Sequence, residues 1–226
     1  MRGTCTTAVS HALRVLGYLD EFAQTAEYKS VIQKEEVNLK FIFIAVLWHD
    51  CWRSQKDPTT WLDLLWYTIV ESFAATRMFK KAARENGLPK GEIDRIGYAI
   101  KRHDSLFFGP ETLEARLLKA VDIEDGYSEE RIAFLEKKFL VDRPIKPYYV
   151  GQAKFALKFF LERESDTIYY FPFIRDKILI KRNQLIERLK VEIAEYEDLW
   201  NIKNAGKTEE FNNKFELMKK KYIKVS

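Results

Sequence analysis

Apolar residues recur along this chain at three- and four-residue intervals, broken by short polar segments, and that period predicts helices throughout. Ala12, Leu16, Leu19 and Ala23 mark a first helix starting near Thr6 or Thr7, either of which can cap it. His11 falls on an adjacent stripe with Val15, Tyr18 and Phe22, at the border of the buried face. A second helix, residues 36–50, is apolar nearly all round from Phe41 to Trp48, the pattern of a central buried helix. Residues 51–59 read as a loop. Thr60 and Asp63, spaced like a capping box, head a helical stretch that stops at Asn86-Gly87 with Pro89 beyond. The pattern leaves open whether that stretch is one helix or two.

Further helices are expected over 90–103, over 111–123 with Leu113, Leu117, Ala120 and Val121 inward, and from Ser128 to about Leu140. Pro144 and Pro147 break the chain and are the best candidates for a domain seam. Beyond them come a helix near 149–164, an aromatic kink at Tyr169-Tyr170-Phe171-Pro172-Phe173, and a long helix over 174–202. On the latter, Ile178, Leu185, Leu189, Ile193, Tyr196 and Trp200 form one stripe, either docked on its own domain or free to pair with another helix. A short basic helix, 208–222, closes the chain. The expected architecture is all-α: a helical domain over 1–130 and a C-terminal helical extension over 131–226 packed on it.

Composition supports this reading. Only 9 Gly and 6 Pro in 226 residues argue against a turn-rich β fold. No run approaches the roughly 18 apolar residues of a membrane span, and the first residues lack the apolar stretch of a secretion signal. Cys5 and Cys51 make no disulfide framework and read as reduced thiols, so a cytoplasmic location is expected. The net charge of +4 is too mild to imply nucleic acid. That excess sits in residues 173–226, with 13 Lys/Arg against 9 Asp/Glu.

The chemistry is concentrated in three histidines. His49 is followed directly by Asp50 at the end of the most apolar run, His11 lies on the helix before, and His103 and Asp122 end two later helices. Imidazoles and carboxylates converging from separate helices are what a divalent metal site requires. Imidazole suits Zn, Fe(II), Co, Ni and Mn, and carboxylate favours Mn and Mg, so the residue types leave the metal's identity open. A mixed set with few cysteines is a catalytic rather than a structural arrangement.

With these residues the chain resembles the HD-domain superfamily of metal-dependent phosphohydrolases over roughly residues 8–128. In that family a His on the first helix, a His-Asp pair on a buried helix and a late Asp near a helix end hold one divalent ion. The matching positions are His11, His49-Asp50 and Asp122, the last within Lys119-Ala120-Val121-Asp122-Ile123-Glu124-Asp125. His103, in Ile100-Lys101-Arg102-His103, matches a histidine of the members that hold a second ion, and the helix from Ala74 to Gly87 resembles the one between that pair of histidines. The other extra His falls near Glu71, a carboxylate that could itself ligate. Ala120 and Ile123 replace an Asp and an Arg of the family's late motif.

The resemblance implies hydrolysis of a phosphomonoester or phosphodiester, most simply a nucleotide, by a hydroxide on the ion, with Asp50 orienting the water and His103 beside it. Arg53, Arg77, Lys101 and Arg102 are candidate phosphate contacts, since they neighbour the ligands and Arg offers a two-donor fork. Two other readings stand beside it: a di-iron oxygenase on the same fold, and a nucleotide- or protein-binding module whose metal site has decayed. Trp48 and Trp66 are expected in the core, Trp52 and Trp61 at a pocket rim, and Cys51 as a small buried residue turned away from Asp50.

Overall fold

The structure, a computed structural model, describes residues 4–34, 38–52, 61–103, 109–137, 147–163 and 170–223. Among these there are ten helices and no strand: α1 (Thr4–Ala23), α2 (Ala26–Lys34), α3 (Leu39–Trp48), α4 (Trp61–Glu85), α5 (Lys90–Arg102), α6 (Leu113–Gly126), α7 (Glu129–Lys137), α8 (Pro147–Arg163), α9 (Pro172–Asn204) and α10 (Thr208–Ile223). The fold is all-α, as the period of the apolar positions required. None of the described helices is long and apolar enough to cross a membrane. The chain forms two compact units, Met1–Asp125 with Tyr169–Arg175, and Gly126–Ile168 with Asp176–Ser226. The expected boundary was at 130/131. Pro144 and its neighbours lie outside the described residues, and Pro147 opens α8, where a missing N–H costs nothing.

In the first unit the chain breaks after α1 because Thr25 works in both directions. Its hydroxyl donates to the Phe22 carbonyl at 2.7 Å and accepts the Tyr28 N–H at 3.1 Å, so it ends one helix and caps the next. The sequence pattern missed α2. It also placed the start of α3 too early, at 36, whereas Asn38 caps that helix by accepting the Lys40 N–H at 3.0 Å. Nor is α3 buried all round: Phe41, Ile42, Ala45 and Val46 face inward, while Phe43 and Leu47 are exposed. The buried face of α1 is His11, Val15, Leu19 and Phe22, so His11 lies in it rather than at its border. Ala12, Leu16 and Ala23, expected inward, are only half-buried.

The stretch after residue 60 is one helix of 25 residues, α4; Thr60 and the side chain of Asp63 lie outside the described residues. It ends on Gly87 at φ +71°, with Gly87 N–H donating to Arg84 O (3.1 Å) and Leu88 N–H to Ala83 O (3.0 Å). That paired closure needs a left-handed residue, which glycine supplies without a Cβ clash. Helix α5 packs against α3 and α4 through Ile93, Ile96, Ala99 and Ile100. Full burial of each isoleucine contributes about 1.5–3 kcal/mol. Arg95 of α5 pairs with buried Glu114 of α6 at 2.5 Å and lies over the Phe41 ring of α3, fixing three helices around the same end of the core.

In the second unit Ser128 caps α7 by accepting the Arg131 N–H at 3.2 Å. Leu161, Leu185, Ile186 and Leu189 form one apolar cluster, and Val150, Tyr196, Leu199 and Met218 another. Leu199 replaces the expected Trp200, which is exposed.

Candidate metal centre

The three imidazoles are held by the same device, a partner on Nδ1 that turns Nε2 inward. His49 and His103 are the C-cap residues of α3 and α5. A helix end leaves carbonyls without an intrahelical donor, and each ring turns back onto one: His49 Nδ1 donates to Val46 O at 2.6 Å and His103 Nδ1 to Ile100 O at 2.7 Å. A carbonyl only accepts, so both rings carry their proton on Nδ1. On α1, His11 Nδ1 donates to Asp125 Oδ2 at 2.6 Å. Asp125 is fully buried, and burial disfavours its charge, but His11 and Arg14 hold its carboxyl below the usual range; Arg14 Nε and a terminal N–H reach its two oxygens at 2.6 and 3.0 Å.

The inward nitrogens meet. His11 Nε2 lies 3.0 Å from His49 Nε2. It is 3.2 Å from Asp122 Oδ1 and 3.4 Å from Asp50 Oδ2, and His49 Nε2 is 3.4 and 3.6 Å from the same two carboxylates. His103 Nε2 is 4.0 Å from Asp122. Metal–ligand bonds of about 2.1 Å place neighbouring donors about 3.0 Å apart in an octahedron and about 3.4 Å apart in a tetrahedron, which matches the separations of His11, His49 and Asp122. Two sets of three could each share an ion, His11 with His49 and Asp122, and His49 with Asp50 and His103. They have His49 in common.

Electrostatics favour a cation there. Burial alone would lower the His49 pKa, but Asp50 and Asp122 outweigh it and push the group up to about 10. His11 is raised too, burial being overcome by Asp122 and Asp125. Burial disfavours the charge of Asp122, yet His11 and His49 hold its carboxyl well below the usual range. Two bare Nε2 lone pairs at 3.0 Å repel, so this spot must hold either protons or a metal. The imidazoles lie at the back, with side chains 0–3% exposed, and the carboxylates at the mouth, with Asp50 15% and Asp122 28% exposed.

The expected ligands His11, His49, Asp50 and Asp122 are therefore brought together, and His103 stands beside them. Glu71 is buried but belongs to neither set of three. Of the expected phosphate contacts, Arg77 is exposed, Lys101 lies over the Phe73 ring, Arg102 lies over the Tyr98 ring, and Arg53 falls outside the described residues. Cys51 is only half-buried, and burial together with the nearby Asp50 charge pushes its thiol up to about 11, which makes it a poor ligand. Trp48 packs edge-on against Phe79 and Trp52 is half-buried; the side chains of Trp61 and Trp66 lie outside the described residues. The sequence reading missed Arg14 and Asp125, although His11-x-x-Arg14 and Asp122-x-x-Asp125 both place their pair on one helix face. Comparison of the chain with protein-family models, curated proteins and solved structures finds no match.

Proposed function

We propose that this protein is a metal-dependent phosphohydrolase acting on a phosphomonoester or phosphodiester, with a nucleotide the simplest substrate, as the HD-domain resemblance implies. The observation that carries this reading is the meeting of three Nδ1-anchored imidazoles and two carboxylates in two sets of three that share His49, each set with its ligand atoms within 4.8 Å of one another. The donor set, nitrogen and oxygen without thiolate, suits Mn, Fe(II), Co, Ni or Zn, and less well Mg. His11, His49, Asp50 and Asp122 would hold the ion, with His103 as a fifth donor or a hydrogen-bond partner for a phosphate oxygen. A bound ion there would acidify a water and neutralise charge on the phosphoryl oxygen.

The chain's own groups supply the rest. Asp50, partly exposed and within 3.6 Å of His11 and His49, would orient the attacking water and take up its proton. Its exposure and that of Asp122 set the side from which substrate enters. The apolar backing of the three rings keeps them in one orientation and excludes bulk water. The test is elemental analysis of the purified chain with hydrolysis assays on nucleotides and phosphoesters in Mn, Co, Ni and Mg. Joint substitution His49→Ala and Asp50→Ala should remove bound metal and turnover together while helical content stays. A chain that binds no metal and hydrolyses none of these overturns the proposal.

A further inference from the structure

We propose that a groove on the first unit, formed by α4 and the end of α5, binds an oligophosphate chain of three or more linked phosphates. Arg77, Lys80, Lys81 and Arg84 project from one face of α4, at spacings of three and four residues, over about 10 Å. Lys101 of α5 joins them, and the exposed ring of Phe73 closes one end. The cavity holds about 500 Å³, within the range of small-ligand sites.

Only part of this charge is spent within the chain. Lys80 pairs with Asp94 at 2.8 Å and Lys81 reaches Glu85 at 4.0 Å. Among the described residues no carboxylate pairs with Arg77, Arg84 or Lys101, so three positive charges remain over the groove. Like charges at these spacings destabilise a helix, and an anion laid across them removes that repulsion. Lys80 is laid flat to reach Asp94 because Gly97 leaves room: a Cβ there would meet Lys80 Cε at 2.6 Å. The Lys101 ammonium lies 4.9 Å from the Phe73 ring centre, so a cation and an aromatic plane are presented together at the groove's end.

A linear polyanion of short reach fits this layout better than a nucleic acid. Residues 1–172 contain 25 Lys/Arg and 25 Asp/Glu, so the basic cluster at the groove stands out against a stretch of balanced charge. Single-stranded nucleic acid is held by successive aromatic platforms, and the groove offers Phe73 alone. None of the groove's residues belongs to the candidate ligand set, so the inference does not rest on the metal-centre chemistry.

The test is titration calorimetry on the full chain as purified, in 0.15 M salt, with inorganic tripolyphosphate and a non-hydrolysable nucleoside triphosphate analogue. Arg77→Ala, Arg84→Ala and Lys101→Ala combined should weaken both by about tenfold or more, the loss expected of three charge-assisted contacts. Asp94→Asn, which releases Lys80, should tighten both by about two- to fivefold. Arg77, Arg84 and Asp94 are exposed and Lys101 is half-buried, and circular dichroism confirms that the variants fold. Tighter binding of the nucleotide, abolished by Phe73→Ala, identifies a nucleotide as the source of the phosphates; equal binding of both identifies the inorganic chain. No binding of either probe, binding indifferent to the triple substitution, or tighter binding of a single-stranded oligonucleotide overturns the proposal.

Discussion

Asp125 accepts the Nδ1 proton of His11 at 2.6 Å while Arg14 grips the same carboxylate through two donors. The ion pair therefore sets the tautomer and direction of a ring whose other nitrogen faces Asp50 and Asp122. Partners of this kind typically govern metal affinity by 10–100-fold. Asp125→Asn keeps the shape and removes the charge, so it should lower metal affinity by about that factor in a chelator-competition titration. Retention of full affinity would show that His11 is oriented by packing alone.

Metal binding should strengthen with rising pH. In the metal-free chain Asp50 and Asp122 push His49 up to about 10 against the effect of burial, so at neutral pH a metal must displace a proton. Where one proton is displaced, apparent affinity rises about tenfold per pH unit until His49 titrates. The sign for stability follows from the raised pKa: in the metal-free chain the favourable interaction is fully present below His49's unfolded value of about 6.5 and is lost as pH rises through about 10. The metal-induced increase in Tm should therefore grow from pH 6 to pH 9, and calorimetric scans with and without Mn or Ni check it.

The parts of this structure that were legible in the sequence are those written in local periodicity. The all-α class, the Asn86-Gly87 stop and the inward face of α6 follow from spacing and capping chemistry. So did the meeting of His11, His49, Asp50 and Asp122, because histidine is rare here and each sits at a helix end or on an apolar stripe. What escaped depends on tertiary partners. The α1–α2 break rests on one threonine hydroxyl, which an apolar pattern does not register. Trp200 and Leu199 are neighbours on α9, and which of them is buried depends on whether Val150 and Met218 lie opposite. Asp125 sits on a helix end among other acids, and its partners Arg14 and His11, 111 and 114 residues away in sequence, mark it out.

Gly87 and Gly206 offer a matched pair of backbone tests. Each ends a long helix in the left-handed region, at φ +71° and +74°, and each is followed by a residue whose N–H reaches back five positions. A Cβ at either would meet no atom within 4 Å, so the cost of alanine there is conformational rather than steric crowding from neighbours. Gly87→Ala and Gly206→Ala should each destabilise by about 1 kcal/mol, readable as a shift of the urea midpoint without a change of slope.

The second unit is held partly by a buried charge network whose removal should be costly. Lys154, only 7% exposed, donates to Glu136 at 2.6 Å and to Glu192 at 2.5 Å. Arg188 bridges the same two carboxylates, donating to Glu192 at 2.7 Å and also to Glu136. Burial disfavours the Glu192 charge, but Lys154 and Arg188 outweigh it and lower its pKa. A lowered carboxyl contributes stability that is present above its unfolded value of about 4.3 and lost as pH falls through the folded value. Lys154→Met keeps the length of the side chain and leaves buried Glu136 and part-buried Glu192 sharing one guanidinium. It should destabilise by about 3–5 kcal/mol, the cost of breaking a buried pair from one side. It should also move the onset of acid unfolding to higher pH, because Glu192 loses the ammonium that most favours its charge. Hydrogen exchange resolves the effect by location: amides of α8 and α9 should lose protection in the variant, while those of α3 and α5 around His49 and His103 keep theirs.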